Sequence, residues 1–394
     1  MLQSIQLKNL LSFGSDSEPL PLQKLNVLIG PNGSGKSNLL EAIGLLQAAP
    51  RDVAAPIRNG GGIHEWLWHG ATEPAPANIK VVVDGLSGRI PLRYDLEFAE
   101  SDDRLKFSLE EIANTETTEK EKKPRTWYRF TGTVPRIRST AKRTLLFMRK
   151  NFDRARSILA QRKDPDRYPE LTYLGETFER IRIYREWSFG RRSVPRLPQK
   201  ADMPTDFLME DCSNLGLVLN RLRRAPAVKK QIVERLQLLH EGFDDFDVRV
   251  EGGTVQVFLQ ESPTKASDGG WIVPATRLSD GTLRYLCLLA ILLDPNPPPL
   301  VCIEEPELGL HPDIVASLGE LLVAASERMQ LVVTTHSDVL VDALTEHPEA
   351  VIVCEKRQGA TCMRRLDRES LAVWLEKYSL GQLWRDGEIG GNRW

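Results

Sequence analysis

Residues 30–37 read GPNGSGKS and match the phosphate-binding pattern G-x-x-x-x-G-K-[ST]. The apolar run Leu25–Ile29 before it predicts a buried strand, and the stretch SNLLEAIGLLQA after it predicts a helix. In this setting the glycine N–H groups wrap phosphates, Lys36 reaches the outer phosphate oxygens, and Ser37 ligates Mg²⁺. The alternative is a glycine turn that binds nothing. The residues predicted to bind ATP are Gly30, Asn32, Gly33, Ser34, Gly35, Lys36, Ser37 and Asn38.

Two acidic residues follow a second apolar run, in LVCIEEPELGLHP at residues 300–312. The run predicts a strand that ends in Glu304 and Glu305, at the edge where α/β sheets bind ligands. Alone, paired acids after a strand are typical of a solvated loop. Beside a phosphate loop they indicate that Glu304 holds Mg²⁺, through water, and that Glu305 orients or deprotonates the attacking water.

Two further segments combine polar residues with apolar elements. His336 follows a third apolar run, in LVVTTHSD, where it is either a strand-end histidine without a ligand or a sensor that reaches the γ-phosphate. In TRLSDGTLRYL, residues 276–286, Ser279 and Gly281 stand directly before a long apolar helix. Such a turn presents backbone N–H groups and a helix N-terminus, which favour an anion.

Composition indicates an ordinary globular protein. With 394 residues, 41% of them hydrophobic, the chain is long enough for two or three domains. Its longest apolar run falls far short of the roughly 20 residues of a spanning helix, and MLQSIQLKNL lacks the apolar core of a signal peptide. We therefore expect a cytoplasmic protein without a membrane partner. The five cysteines contain no C-x-x-C pair, so neither zinc nor disulfides are indicated.

The net charge of −2 hides a strong asymmetry. Residues 104–200 carry 25 basic and 12 acidic side chains, and residues 123–163 carry 13 basic and one acidic. Aromatic residues interleave with this basic segment: Trp127, Tyr128, Phe130, Phe147 and Phe152. The mixture suits a nucleic acid, with stacking by the aromatic rings and phosphate contacts from Arg136, Arg138, Lys142 and Arg143. The alternative is that this basic segment contacts an acidic surface of the same chain or of a partner protein, while the aromatic rings form a small core.

The order of the elements predicts the fold class. Strands that alternate with helices favour an α/β fold with a parallel sheet covered on both faces. Strand-like stretches near residues 79–85, 92–98 and 104–112 add an antiparallel accessory sheet. We predict a core N-lobe over residues 1–112, an inserted, mainly helical basic domain over 113–245, and a core C-lobe over 246–394. Pro226 is expected to separate two short helices, and Gly252 and Gly253 to turn a hairpin.

Five stretches together resemble the ATP-binding-cassette (ABC) ATPases of the SMC, Rad50 and RecF kind. They are LKNLLSFG, GPNGSGKSNLLEAI, RLSDGTLRYLCLLAIL, CIEEPELGLHP and TTHSDVL, which lie at both ends of the chain. Within that group the likeness is greatest to bacterial AAA-like ATPases related to the OLD family, many of which act in phage defence. The expected fold is an ABC-type P-loop ATPase head, a mixed sheet with flanking helices plus an antiparallel accessory sheet.

The resemblance implies that two subunits pack head to tail around ATP, as a homodimer or a larger homo-oligomer. Ser279, Gly281 and the helix start at Thr282 would then meet the γ-phosphate bound at Lys36 of a second copy. Two departures stand out. Glu304 replaces the aspartate that relatives often have, and Asp280 replaces the second glycine of a transporter-type signature.

The segment after His336 bears on the effector. Its 58 residues are too few for the Toprim nuclease domain of OLD nucleases, so we expect a separate effector polypeptide, recruited by the basic domain or by a tail that exposes Trp374, Leu383 and Trp384. The leading hypothesis is an ATPase that hydrolyses ATP with Mg²⁺ and gates this effector in phage defence, with nucleic acid as a candidate ligand. The alternatives are a RecF-like DNA repair ATPase and the nucleotide-binding subunit of a membrane transporter.

Overall fold

The computed structural model describes residues 1–71, 73, 75–101, 104–117, 123–140, 145–147, 152–262 and 270–391. The chain divides into two compact units. The first unit comprises Met1–Ile181, Glu349–Glu369 and Asp386–Trp394, and the second comprises Arg182–Pro348 and Ser370–Arg385.

The first unit contains a large antiparallel sheet. In chain order its strands up to residue 181 are β1 (Leu2–Lys8), β2 (Leu20–Pro21), β3 (Leu25–Ile29), β4 (Ala77–Val83), β5 (Leu92–Ser101), β6 (Arg104–Asn114), β7 (Thr126–Phe130), β8 (Arg136–Arg138) and β9 (Leu145–Phe147). All except β3 join this sheet, in the order β2-β1-β4-β5-β6-β7-β8-β9. The sequence of β4 shows why this segment forms a strand with one buried face. Its alternate residues Ala77, Ile79, Val81 and Val83 are buried, while those between them are partly exposed.

The helices of the first unit follow the phosphate-loop segment and the basic segment. They are α1 (Lys36–Ala48), α2 (Ala54–Asn59), α3 (Ile63–Trp66), α4 (Ile158–Gln161) and α5 (Pro169–Glu179). Helix α1 begins directly after the glycine-rich loop and buries Leu39, Leu40, Ile43 and Leu46. The predicted strand, loop and helix around residues 30–37 are therefore present.

The second unit contains two groups of strands. In chain order they are β10 (Arg182–Tyr184), β11 (Gln199–Lys200), β12 (Phe243–Glu251), β13 (Thr254–Glu261), β14 (Trp271–Pro274), β15 (Leu300–Glu304) and β16 (Gln330–Thr334). Strands β10, β15 and β16 pair in parallel, so their carboxyl ends share one edge. Strands β12 and β13 form the predicted hairpin, with Gly252 and Gly253 at positive φ in its turn.

The helices of the second unit include the two on either side of Pro226. They are α6 (Leu215–Leu222), α7 (Pro226–Leu239), α8 (Asp280–Leu292), α9 (Pro312–Ser326), α10 (Asp338–Asp342), α11 (Arg368–Leu375, which begins in the first unit) and α12 (Leu380–Arg385). Pro226 and Pro312 occupy first-turn positions, where a missing N–H costs nothing. Helix α8 is buried on almost every side from Leu283 to Leu292.

Two further strands, β17 (Val351–Arg357) and β18 (Ala360–Arg365), return to the first unit. Strand β17 lies parallel to β3, with Val351 opposite Val27, and β18 pairs antiparallel with β17. The second strand, β18, reaches the phosphate loop, as described below.

Residues 113–245 contain helices α4 to α7, but they also contain strands, from β7 near their start to the first residues of β12. Strands β7, β8 and β9 extend the antiparallel sheet, which the sequence analysis did not anticipate. Tyr128, Phe130 and Ile137 are buried on these strands while Arg129 and Arg136 between them are exposed. The two units divide the chain at other positions than 112 and 245, so the predicted domain limits stay a prediction.

The C-terminal tail corrects one expectation. Trp374 on α11 is 44% exposed, as expected, but Leu383 and Trp384 on α12 are 1% and 8% exposed. Helix α12 contacts α10, and the backbone N–H of Gly381 donates to Asp342 at 2.7 Å. The apolar side chains of α12 are core residues of the second unit. None of the described helices combines the length and the apolarity that crossing a lipid bilayer requires.

Candidate nucleotide-binding and catalytic elements

The phosphate loop of the first unit lies between β3 and α1. Lys36 is 5% exposed, and its Nζ donates to the carbonyls of Gly30 at 2.7 Å and Pro31 at 3.1 Å. The Oγ of Ser34 is buried, and within the described part of the chain it has no hydrogen-bond partner. A buried hydroxyl without a partner is costly, so this atom fits a ligand oxygen. The loop therefore fits a bound phosphate chain.

Two glycines let neighbouring groups approach the loop closely. Gly30 has φ +145° and Gly35 has φ +101°. A methyl group on Gly30 would overlap the carbonyl of Cys354, and one on Gly35 would overlap the hydroxyl of Thr361. Gly33, also at positive φ, has open space where a Cβ would be. The predicted glycines thus have different roles, since two are required by packing and the third by backbone conformation.

A small polar network supports the loop from outside the motif. The hydroxyl of Thr361 on β18 lies 2.9 Å from the Ser34 carbonyl and 2.6 Å from the Oγ of Ser12. Asn38 donates to the same Ser12 Oγ at 2.7 Å, so this predicted nucleotide-binding residue has a structural contact. Sequence reasoning did not select Ser12 or Thr361. The stretch LSFG contains Ser12, but no local signal marks Thr361, which only the fold brings to the loop.

The signature turn, which we define as residues Ser279, Asp280 and Gly281 of the second unit, forms the N-terminus of α8. Ser279 is exposed, and its Oγ accepts from the backbone N–H of Thr282 at 3.0 Å and lies 2.8 Å from the Thr282 hydroxyl. Gly281 fits closely, because a Cβ there would lie 2.6 Å from the carbonyl of Gly309. The predicted helix start with an exposed serine is present. It also touches the loop after the paired acids.

The paired acids lie at the carboxyl end of β15, where Glu304 is the last residue of the strand and Glu305 follows it. The Nε of Arg185 lies 3.0 Å from a carboxylate oxygen of Glu304, and the indole N–H of Trp187 donates to the Glu304 carbonyl at 2.9 Å. Glu305 has φ +46°, a strained conformation for a residue with a side chain. Its backbone N–H donates to the carbonyl of Thr334 on β16 at 3.0 Å. This bond fixes Glu305 at the carboxyl edge of the parallel strands.

His336 and Glu305, predicted separately, are brought together. The Nε2 of His336 lies 3.6 Å from a carboxylate oxygen of Glu305. Glu307 positions the histidine, because one of its oxygens accepts from the Thr335 hydroxyl at 2.7 Å and from the His336 backbone N–H at 2.8 Å. Burial raises the pKa of Glu307. Sequence reasoning missed Glu307 as a functional residue, although it lies within the quoted EEPE.

Arg284, also missed by sequence reasoning, joins α8 to the same loop. Its guanidinium donates to the carbonyl of Leu308 at 2.6 Å and lies 5.0 Å from the ring of Trp187. Desolvation lowers the pKa of Arg284, and the charges of Glu307 and Glu305 partly oppose this effect. The arginine therefore ties the signature helix to the acidic loop inside the second unit.

The predicted metal ligands have suitable chemistry. Ser37 supplies a hydroxyl and Glu304 a carboxylate, and Mg²⁺ is usually held by one or two such groups together with substrate phosphates. Across the residues that the structure describes, His, Cys, Asp and Glu side chains form no cluster of three or more suited to a metal.

The nucleic-acid candidates divide. Arg136 is exposed on β8, and Arg138 is partly buried and donates to the Thr126 carbonyl at 3.2 Å. Lys142 and Arg143 lie outside the described residues. The aromatic rings support the second alternative, because Trp127, Tyr128 and Phe130 are 9%, 0% and 2% exposed. The ring of Phe152 lies 5.5 Å from that of Phe130. Trp127, Tyr128 and Phe130 belong to a core and are closed to base stacking.

The phosphate loop, the signature turn, the paired acids and the switch histidine define an ABC-type P-loop ATPase head. The family described as "AAA domain, putative AbiEii toxin, Type IV TA system" matches residues 25–342, more than half of the chain. The chain therefore belongs to this family. The predicted ATPase relationship and α/β class are confirmed.

Two curated relatives match a short stretch of the chain. The chromosome partition protein Smc of Mycolicibacterium paratuberculosis is 29% identical over 96 residues, and that of Mycobacterium tuberculosis is 28% identical over 96 residues. Each match covers 24% of this chain and 8% of the Smc protein.

Two solved structures have the same fold. The Smc head bound to the C-winged helix domain of ScpA matches with a TM-score of 0.59 at 15% identity, covering 94% of this chain and 99% of that one. An Smc head with an extended coiled coil, bound to the C-terminal domain of ScpA and derived from Pyrococcus furiosus, matches with a TM-score of 0.60 at 14% identity, covering 95% and 98%.

Proposed function

We propose that the protein binds and hydrolyses Mg-ATP, dimerises around it, and thereby controls a separate effector polypeptide. Its membership of an AAA family supports the nucleotide. The observation that carries the dimer is the exposed Ser279 turn, which presents a helix N-terminus in addition to the one that follows the phosphate loop. The helix start after the phosphate loop suffices to bind one nucleotide within one copy. The second helix start is therefore available for the nucleotide of another copy.

Binding begins at the loop between β3 and α1. Lys36 exchanges the carbonyls of Gly30 and Pro31 for β- and γ-phosphate oxygens, and the backbone N–H groups of residues 32–37 wrap the remaining oxygens. The buried Ser34 hydroxyl gains the partner that it lacks within the described chain. The residues that would hold the metal are Ser37, with its hydroxyl, and Glu304, with its carboxylate. Bound Mg²⁺ neutralises part of the charge on the phosphates.

Hydrolysis uses the strained loop after β15. Glu305 orients a water molecule and accepts its proton, while the water oxygen bonds to the γ-phosphorus and the bridging oxygen leaves with ADP. His336 lies 3.6 Å from Glu305, orients its carboxylate and senses the γ-phosphate. Arg185 pairs with Glu304 and would compete with a metal for its carboxylate, which would slow turnover.

Dimerisation follows from the signature turn. The N-terminus of α8 carries a partial positive charge and the N–H groups of the first helical turn, which favour a phosphate of the nucleotide on a second copy. An ATP molecule that contacts both copies binds the dimer more tightly than the monomer and so stabilises the dimer. Association should therefore require ATP and should end on hydrolysis. The ScpA-bound Smc heads support a separate partner protein.

The biological role is proposed on coarser grounds. The family description names a putative AbiEii toxin of a type IV toxin–antitoxin system, which supports a role in such a system. The role in phage defence is proposed from the resemblance of the motifs to ATPases related to the OLD family. The exposed side chains of Val373, Trp374 and Tyr378 at the tail offer that effector a surface. A second candidate, a DNA repair ATPase like RecF, is favoured by the likeness to chromosome partition proteins.

The test is nucleotide-dependent association of a hydrolysis-deficient variant. We expect E305Q to bind ATP, to release no phosphate, and to sediment as a dimer with saturating Mg-ATP and as a monomer with ADP. S279A in the E305Q background should stay monomeric with ATP, because the exposed hydroxyl and the cap of α8 are lost. Sedimentation velocity and phosphate release are the measurements.

Ser337 provides a matched control. It caps α10 as Ser279 caps α8, and its Oγ accepts from the Leu340 N–H at 3.2 Å. S337A therefore loses a similar cap, about 1 kcal/mol of stability, and should still dimerise with ATP. If E305Q saturated with Mg-ATP remains a monomer, the proposed function is wrong.

A further inference from the structure

Arg196 is a buried cation behind the signature turn of the second unit. The residue is 5% exposed. Its guanidinium donates to the carbonyl of Leu278 at 2.5 Å, to those of Ala275 at 3.4 Å and Phe189 at 3.2 Å, and to the carboxylate of Asp280. A buried guanidinium is tolerated only when its donors are paired, and here the partners lie on both sides of Ser279. Arg196 therefore fixes the backbone that leads into α8.

The contact with Asp280 addresses the departure from the signature pattern. A glycine is usual at this position in a transporter-type signature, and this chain has a carboxylate at the first residue of α8. Its side chain is 66% exposed beside Ser279. In the proposed dimer a phosphate of the second copy approaches this turn. An unpaired carboxylate there would repel the phosphate and would also offset the partial positive charge of the helix start.

We propose that Arg196 is a positioning residue that neutralises Asp280 and aims the signature turn, so that the triphosphate on a second copy can dock. This inference rests on the proposed function. Arg196 acts through Asp280 and the turn, and does not itself touch the nucleotide. The Arg196–Asp280 pair replaces the usual glycine by a charge together with its countercharge.

The experiment uses the full chain in the E305Q background. R196M should raise the Mg-ATP concentration for half-maximal dimerisation at least tenfold. The affinity of the monomer for a fluorescent ATP analogue, measured below the dimerisation range, should stay within twofold of the parent. D280N alone should dimerise within twofold of the parent, since the charge that Arg196 neutralises is absent.

The double variant R196M/D280N separates charge from scaffolding. We expect it to recover most of the tenfold loss, because no carboxylate is left unpaired at the turn. A purely structural Arg196 would give a loss that D280N does not relieve, and that result overturns the proposal. If R196M shows no cooperative unfolding transition, R196Q is used with the same expectations, since its amide can still donate to the Leu278 carbonyl.

The outcomes also separate this inference from the proposed function. If E305Q with Mg-ATP stays monomeric, the proposed function fails before Arg196 is tested. If E305Q dimerises and both R196M and R196Q dimerise at the same ATP concentration, the inference about Arg196 fails and the proposed function stands.

Discussion

Glu110 lies inside the first unit with only 1% of its surface exposed. Its carboxylate accepts from the Tyr94 hydroxyl at 2.9 Å, the Ser157 hydroxyl at 2.5 Å and the backbone N–H of Ile158 at 3.0 Å. Burial raises the pKa of Glu110 to about 7, although these hydrogen bonds lower it. The residue joins β5 and β6 to the start of α4, and it titrates near neutral pH.

The raised pKa predicts how stability changes with pH. The folded state keeps a proton that the unfolded chain, with the ordinary pKa of 4.5, loses earlier. The stability from this proton is therefore fully present below pH 4.5 and is lost as the pH rises through about 7. We expect wild type to lose on the order of 3 kcal/mol relative to E110Q over this range, measured by urea unfolding from pH 4.5 to 8.

The neighbouring residue gives the control for this titration. Glu111 pairs with Arg93 at 2.6 Å and with Arg129 at 3.5 Å. E111Q removes one carboxylate from the same strand but leaves Glu110 in place, so the pH dependence of its unfolding should follow wild type. Parallel curves for wild type and E110Q would refute the role of Glu110.

At the scale of elements, the phosphate loop depends on β18. Gly35 precedes α1 at φ +101°, where a methyl group would overlap Thr361. Gly33 also has positive φ, but a methyl group there meets nothing within 4 Å. Alanine at position 33 would therefore add backbone strain alone, whereas alanine at position 35 would add the same strain and a steric clash between the loop and β18.

We expect G33A to fold with a loss of roughly 1–2 kcal/mol, the cost of a left-handed conformation for a residue with a Cβ. G35A should lose more, because the same strain adds to the overlap with Thr361. T361A in the G35A background should restore part of that difference, since it removes the overlapping hydroxyl and methyl groups. Thermal unfolding measures each value. Equal losses in G33A and G35A would contradict the role of β18.

The same elements show how far the sequence predicts the fold. Strands β3, β15 and β16 and helices α1 and α8 were predicted because buried apolar runs mark their positions. Strands β7 and β8 were missed, since exposed arginines neighbour their buried residues and resemble a solvated surface. Leu383 and Trp384 were predicted to be exposed, and this prediction is wrong. Only the contact of α12 with α10 buries them, and the sequence does not reveal that contact.

The candidate site divides in the same way. Lys36, Glu305 and His336 lie in contiguous motifs, whose residue types and spacing are visible in one dimension. Arg196 and Thr361 are distant in sequence from the turns that they hold, and a lone arginine or threonine carries no local signal. The fold brings them to the site, so a single sequence cannot identify them.

At the scale of the whole molecule, charge is the feature that composition hides. Residues 104–200 are strongly basic although the net charge is −2. The aromatic residues of β7 are buried, so a nucleic acid on this segment would be held through its phosphates and would be bound without base stacking from Trp127, Tyr128 or Phe130. Affinity of this kind is independent of sequence and falls steeply with salt.

Retention on duplex DNA or RNA should therefore decrease sharply between low and moderate salt. Replacing Arg136, Arg138, Lys142 and Arg143 by glutamine should abolish it. R136Q/R138Q alone should reduce the slope of log affinity against log salt by about two, because each arginine that is replaced leaves one phosphate without its cation. The measurement is fluorescence anisotropy of labelled duplex at several salt concentrations.

Arg191 and Arg192 offer a matched pair, exposed and adjacent to one another. R191Q/R192Q changes the net charge of the chain by the same amount as R136Q/R138Q. If the net charge of the whole molecule drives binding, both double variants should therefore lose the same affinity for the duplex. A local phosphate contact would respond only to the pair on β8. Equal effects of the two pairs, or binding that salt does not weaken, would assign the basic segment to contacts with protein and leave nucleic acid without a binding surface there.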